Sequence, residues 1–299
     1  MPPRYRVLDR PSLPFRFARA CLCRDIPGAW RFYRAVIHPR VKGKAAPFLL
    51  ADGSSLVLPL TWPGLVTGRG TEGYEPEAIA AFTAATARLG PAVTLIDCGA
   101  DVGAFSRLVL AGTKNVSRVI AFEPNPDPFE LLERNLRGCE GLGVELRQSA
   151  VSALEGTAWL AVDRTMDHDH GAHLGPQAGT GMRIKVETVD GVLGEDSGPI
   201  ALKIDVEGEE LNVLRGATNT LRRASGFVVQ LEAHPEVTSR TGIDPGEGLR
   251  LLRSAGASLF TAYCERTHEV VMRIDPEQRF FAQVDPAEIY DVVAIRPLA

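Results

Sequence analysis

Thr94-Leu-Ile-Asp-Cys-Gly-Ala-Asp-Val-Gly-Ala-Phe-Ser106, followed by Val119-Ile-Ala-Phe-Glu-Pro-Asn125, decides the fold. Leu95 and Ile96 read as a buried strand that runs out at Asp97. Gly99 and Gly103 let the backbone turn tightly into a helix whose apolar side carries Phe105, Leu108, Val109 and Leu110. A second apolar strand, 119–122, ends in another acid, Glu123. Upstream, Glu75-Pro76 opens an alanine-rich helix over 77–89, which Gly90-Pro91 stops. Downstream come a strand at 144–146, a hairpin-like pair at 158–162 and 182–186, a strand at 199–205 and a helix over about 209–221. A strand at 226–232, a helix at 249–253 and strands at 258–263 and 290–295 close the chain. This alternation is the signature of an α/β fold on a mostly parallel sheet with helices on both faces.

In such a sheet, ligands bind beyond the carboxyl ends of the strands, where the strand order reverses. Two acids at neighbouring strand ends, Asp97 ahead of a glycine turn and Glu123, suit a ligand with an ammonium group and a ribose diol. S-adenosylmethionine has both. A dinucleotide-dependent oxidoreductase is the rival reading, but its site wants G-x-G-x-x-G. Here the glycines stand at Gly99 and Gly103, and Asp97 would repel a pyrophosphate. Glu123 fits either ligand, so Asp97 decides for the sulfonium cofactor. A non-catalytic cofactor-binding or assembly module is the third alternative.

The chain has 299 residues, 45% of them hydrophobic, enough for one large α/β domain plus an N-terminal elaboration. No apolar run reaches the roughly 20 residues of a membrane span, and the N-terminus lacks the pattern of a secretory signal. Five scattered cysteines suit a reducing compartment, so the expected location is cytoplasmic. Residues 1–44 hold eleven basic residues against Asp9 and Asp25, a net +9, which leaves −13 for the remainder of a chain of net −4. Leu13, Phe15, Phe17, Trp30, Phe32, Tyr33, Val36 and Ile37 give this arm an apolar face. The face favours packing on the acidic domain of its own chain or of a twin subunit in a homodimer. An acidic carrier, a phosphorylated substrate or an anionic membrane surface is the alternative; no nucleic-acid partner is expected. Residues 48–58 read as a hairpin turning at Asp52-Gly53. The division expected is 1–73, a basic extension with helix and hairpin, and 74–299, the cofactor-binding domain. Residues 164–181, with His168, His170 and His173, read as a long active-site loop whose histidines are either solvated or ligands.

Leu202-Lys-Ile-Asp-Val-Glu-Gly-Glu-Glu210 is the third constellation. Lys203 sits inside an apolar strand and needs a partner, Asp97 or Glu232. Asp205 falls at the mouth of the site, and Glu232 and His234 end the adjacent strand. The order Ile-Asp-x-Gly-Ala-x-x-Gly, Phe-Glu-Pro-Asn, Lys-Ile-Asp-Val-Glu-Gly-x-Glu resembles the FkbM family of S-adenosylmethionine-dependent methyltransferases over about residues 74–235. The resemblance implies the class I methyltransferase fold, seven strands with one antiparallel near the edge. It also implies O-methylation of a hydroxyl on a small molecule, natural product or glycosyl acceptor. By position, Asp97, Gly99, Ala100 and Gly103 would cradle the methionine half, with Ser106 at the helix start. Glu123 would hold the ribose, Pro124 and Asn125 would border adenine, and Ser149, Ala150 and Val151 would face its edge. Asp205 would sit beside the reacting methyl. Tyr74 and Glu75 resemble a short family element bordering cofactor or acceptor. The candidate catalytic set is Asp205, Glu232, His234 and Lys203, and Asp205 with Glu232 is the alternative seat of a Mg²⁺ ion.

Overall fold

The computed structural model describes residues 5–24, 26–62, 65, 74–139, 141–161, 173–175, 181–196, 198–267 and 269–298. His168 and His170, with most of the 164–181 loop, lie outside them.

The N-terminal segment forms strand β1 (Arg6–Val7), helix α1 (Leu13–Leu22) and a helical run over 29–41. The expected hairpin follows as β2 (Lys44–Leu49) and β3 (Ser55–Pro59), paired antiparallel. Asp52 holds its turn by accepting from the Ser54 backbone N–H and hydroxyl.

Helix α2 (Pro76–Ala87) leads into the main sheet. Strand β4 (Val93–Cys98) feeds α3 (Ala104–Gly112), β5 (Val116–Phe122) feeds α4 (Pro126–Leu136), and β6 (Gly143–Arg147) follows. β4 is wholly buried, Thr94 and Asp97 included, as a strand covered on both faces should be. A second sheet holds β7 (Ala150–Val151), β8 (Gly156–Ala161), β9 (His173–Gly175) and β10 (Met182–Glu187) in the order β7-β10-β8-β9. The chain then returns through β11 (Ile200–Ile204), β12 (Phe227–Ala233), β13 (Leu259–Cys264), β14 (Val270–Met272) and β15 (Tyr290–Arg296).

The main sheet has the order β14-β13-β15-β12-β11-β4-β5-β6. Five strands from β6 to β12 run parallel, and β15 inserts antiparallel between β12 and β13. This is the expected class I methyltransferase fold, with β14 as an eighth strand folded back on β13. From β4 the chain moves one way to β5 and β6 and later the other way to β11 and β12. The switch point therefore lies between β4 and β11.

The single helix read over 209–221 is two: α5 (Glu210–Arg215) and α6 (Thr218–Arg223). The Gly216 carbonyl leaves the helix ladder to accept from the Asp190 N–H. The Asp190 carboxylate in turn caps the second helix by accepting from the N–H groups of Asn219 and Thr220. Asn135 of α4 ties the N-terminal hairpin to the main body. Its amide exchanges two hydrogen bonds with the Val57 backbone and donates a third to the Val102 carbonyl. Leu56, Leu58 and Trp62 accordingly share one apolar cluster with Val102, Ala104 and Leu131.

Candidate active site

Three strand ends meet at the switch point. The N–H groups of Gly99 and Ala100 both donate to the Phe122 carbonyl, at 3.1 and 2.9 Å, joining the end of β4 to that of β5. The Asp205 N–H donates to the Cys98 carbonyl at 3.1 Å, joining β11 to β4. Beyond them opens a cleft at the switch point, where small-molecule sites of open α/β sheets lie. Gly99, Glu123, Pro124, Asn125, Ser149, Ala150, Val151 and Asp205, all named from the sequence, line it. Asp101, which stands where the family turn commonly has Asn and was expected near the sulfonium, lines it too, and Phe122, Pro128, Leu160, Val206, Glu207 and Glu209 line it without having been expected to touch the cofactor.

Asp97, Ala100, Gly103 and Ser106 do not border the cleft. Asp97 and Ser106 are fully buried, and the Ser106 hydroxyl donates to Asp97 Oδ2 at 2.6 Å. Parallel pairing sets Lys203 of β11 directly opposite Asp97 of β4, and the lysine closes over the carboxylate. Lys203 Nζ donates to Asp205 Oδ2 and to the Gly99 carbonyl, both at 2.9 Å, and lies 3.8 Å from Asp97 Oδ1. Glu232 is not its strand neighbour; Gln230 is. Burial works to lower the Lys203 pKa, but Asp205, Asp97 and Glu75 hold it above its ordinary value. Burial raises the Asp97 carboxyl, while Lys203 and Ser106 pull it back.

On the β12–β15–β13 side the sheet edge gathers acids. Carboxylate oxygens of Glu75, Glu265 and Asp291 lie within 4.8 Å of one another. Gln230 Nε2 bridges Glu75 Oε2 at 3.1 Å and Asp291 Oδ1 at 2.9 Å. Burial pushes Glu75 up to about 7 and Glu265 to about 8, with Asp205 adding repulsion to both. Glu232 and Asp291 are raised further, again first by burial. Glu207, on the wall of the cleft, is pushed to about 7 by burial and then by Asp205 and Glu210. His234 caps α7 (Pro235–Thr241), its Nδ1 accepting from the Glu236 N–H at 3.1 Å, and burial lowers its pKa. With Glu232 it lines a second groove that Gly208 and Glu210 also border, so the 205–210 turn stands between it and the cleft.

The methyltransferase FkbM domain family matches residues 97–259, more than half of the chain. The chain belongs to the FkbM methyltransferase family. A curated relative, the hexuronic acid methyltransferase AglP of Haloferax volcanii, is 31% identical over 180 residues, 60% of this chain and 69% of that protein. Among solved structures, M. jannaschii TYW2 in complex with AdoMet overlaps with a TM-score of 0.40 at 12% identity, covering 85% of this chain and 87% of that one. The precorrin-6y C5,15-methyltransferase of Geobacter metallireducens GS-15 overlaps with a TM-score of 0.36 at 14% identity, covering 73% and 87%. This FkbM protein is an S-adenosylmethionine-dependent O-methyltransferase.

The cleft fits that cofactor in two particulars. Asn125 is 2% exposed, its Oδ1 caps α4, and its buried Nδ2 has no partner, a donor left over at the cleft wall. Glu123 holds the turn together, Oε1 accepting from the Asn125 N–H at 2.7 Å and Oε2 from the Asp101 N–H at 3.0 Å. Burial, then Asp101, pushes its carboxyl up to about 8. A diol donates to the ionised form, so affinity for S-adenosylhomocysteine should rise with pH, by about tenfold per unit below 8, and flatten above it. The sign for folding is opposite. The Glu123 contribution to the stability of the ligand-free protein is full below its ordinary pKa of 4.5 and lost as pH climbs through 8. Glu123→Gln should bind at least about tenfold more weakly and lose the pH dependence. Calorimetry at pH 6.5 and 8.5 reads both; unchanged affinity would reject the ribose role.

Proposed function

We propose that this methyltransferase acts on a hydroxyl of a sugar or sugar-like acceptor held against the acid-rich edge beside Asp205. The bound cofactor supplies an electrophilic methyl on a sulfonium. Gly99, Glu123, Asn125 and Ser149 would position it, and the protein's remaining task is to orient the acceptor and take its proton. The observation carrying the reading is Glu207, a cleft-wall carboxyl brought to about 7, where a general base works best at neutral pH. Asp205, held in place by Lys203, is suited to orienting the hydroxyl. The sugar class is supported by the hexuronic acid substrate in the relative's name.

Glu207→Gln should lower turnover by about 10²- to 10⁴-fold with cofactor affinity within about twofold, and the limb of the pH–rate profile near 7 should vanish. Labelled methyl transfer to a panel of neutral and uronic glycosides tests the acceptor class. Label recovered only as an ester or on nitrogen would overturn it.

A second reading places a divalent cation among Glu75, Glu265 and Asp291, favoured by their oxygen spacing. Among the described residues, Asp205 and Glu232 do not belong to such a three-ligand group. Full turnover in chelator after dialysis would remove the cation and leave the base.

A further inference from the structure

The basic arm does not bury all of its apolar side chains. Phe15, Ala18, Tyr33, Ile37 and Val41 pack with Ala46 and Leu60. Leu13 is 75% exposed and Phe17 66%, one helical turn apart on α1, and Trp30 and Phe32 are nearly half exposed. Arg16, Arg24, Arg31 and Arg34, all exposed, are interleaved with them. Between α1 and the hairpin runs a groove lined by Arg16, Arg19, Arg24 and Phe48. The Arg19 guanidinium lies over the Phe48 ring, 5.6 Å from its centroid, and its Nε is buried without a hydrogen-bond partner. Three arginines along one groove, two of them exposed, offer forked donors to an anionic oxygen.

We propose that this N-terminal face docks on an anionic lipid bilayer, its leucine and aromatic side chains entering the headgroup–acyl boundary and its arginine groove taking a lipid phosphate. Exposed Leu, Phe and Trp interleaved with arginine is the composition of an interfacial helix. Among the described residues no helix is long and apolar enough to cross a membrane, so the contact is peripheral. Charge also orients it: residues 1–44 carry +9 and the remainder −13, so an anionic surface attracts this face and repels the rest. A symmetric pair of chains meeting here would set one arginine-rich face against another, because a two-fold interface uses the same patch on both subunits.

The test is co-sedimentation of the full chain with phosphatidylcholine vesicles, with and without about 30 mol% phosphatidylglycerol. Partition into the anionic vesicles should exceed that into neutral ones by at least about tenfold at 0.1 M salt and collapse near about 0.5 M. Leu13→Ser with Phe17→Ser, and separately Arg16→Glu with Arg24→Glu, should each cost about tenfold or more, with S-adenosylhomocysteine binding and thermal melts unchanged. Equal partition into both vesicle types would overturn the proposal. So would a wild-type dimer in sedimentation velocity that these variants dissociate, since the face would then belong to a second copy.

Discussion

Lys203→Met should abolish measurable cofactor binding and lower the free energy of unfolding by about 3–5 kcal/mol. Lys203 is 3% exposed, and its ammonium serves Asp205, Asp97 and the Gly99 carbonyl at once. Methionine fills the volume but leaves Asp97, fully buried, with Ser106 as its remaining hydrogen-bond donor and with Oδ1 facing hydrocarbon. Asp97 must then take a proton to stay folded. Its folded pKa, already above 3.8, rises further, so the variant's deficit should shrink as pH falls and grow as pH rises. Urea melts at pH 5.5 and 8 read that slope. Adding Asp97→Asn should recover part of the stability, because the stranded charge is gone, without restoring affinity, because Asp205 still lacks its anchor. Additive losses in this double-mutant cycle would mean that the two side chains do not interact. A variant as stable as wild type at both pH values would refute the buried-pair account.

Lys203 also marks how far the sequence could be read. Its need for a partner followed from an ammonium in an apolar strand, and register alone selected Asp97 over Glu232. The succession of strands along the chain and the strand-end acids Glu123 and Asp205 were legible because glycine turns and strand-end acids are local signals, whereas Pro124, Asn125, Ser149, Ala150 and Val151 came from the family resemblance. The side on which Asp97 presents itself was not legible, because a lysine about a hundred residues away covers it. The cluster of Glu75, Glu265 and Asp291 joins a helix cap, a hairpin end and the last strand. No spacing in the chain relates them. Helices α4 and α7 open on Asn125-Pro126 and His234-Pro235, where proline at the first helical position was a readable signal. His234 before Pro235 could be read equally as a cap or as a catalytic group, and its Nδ1 is committed to the Glu236 N–H as the cap. The arm's apolar face was legible as a face, but which half of it stays outside depends on the hairpin packed against it.

Gly99→Ala should cost more than about 3 kcal/mol and weaken S-adenosylhomocysteine binding by about 100-fold or more. Gly99 has φ +79°, and a Cβ there would stand 1.7 Å from the Asp205 carbonyl oxygen and 2.9 Å from its carbon. Both are backbone atoms, held by the Asp205 N–H on the Cys98 carbonyl, so neither can turn aside as a flexible side chain would. The methyl group must part β4 from β11 at the switch point, carrying Asp205 away from Lys203 and opening the cleft floor. Gly53→Ala separates this collision from the cost of backbone conformation. Gly53 has φ +80° with nothing within 4 Å of its absent Cβ, so alanine there carries only the left-handed strain of about 1–2 kcal/mol and should leave cofactor affinity unchanged. Chemical melts and calorimetry on the two variants measure the difference. Were Gly99→Ala to match Gly53→Ala in both, the close approach of the two strand ends would not be what shapes the site.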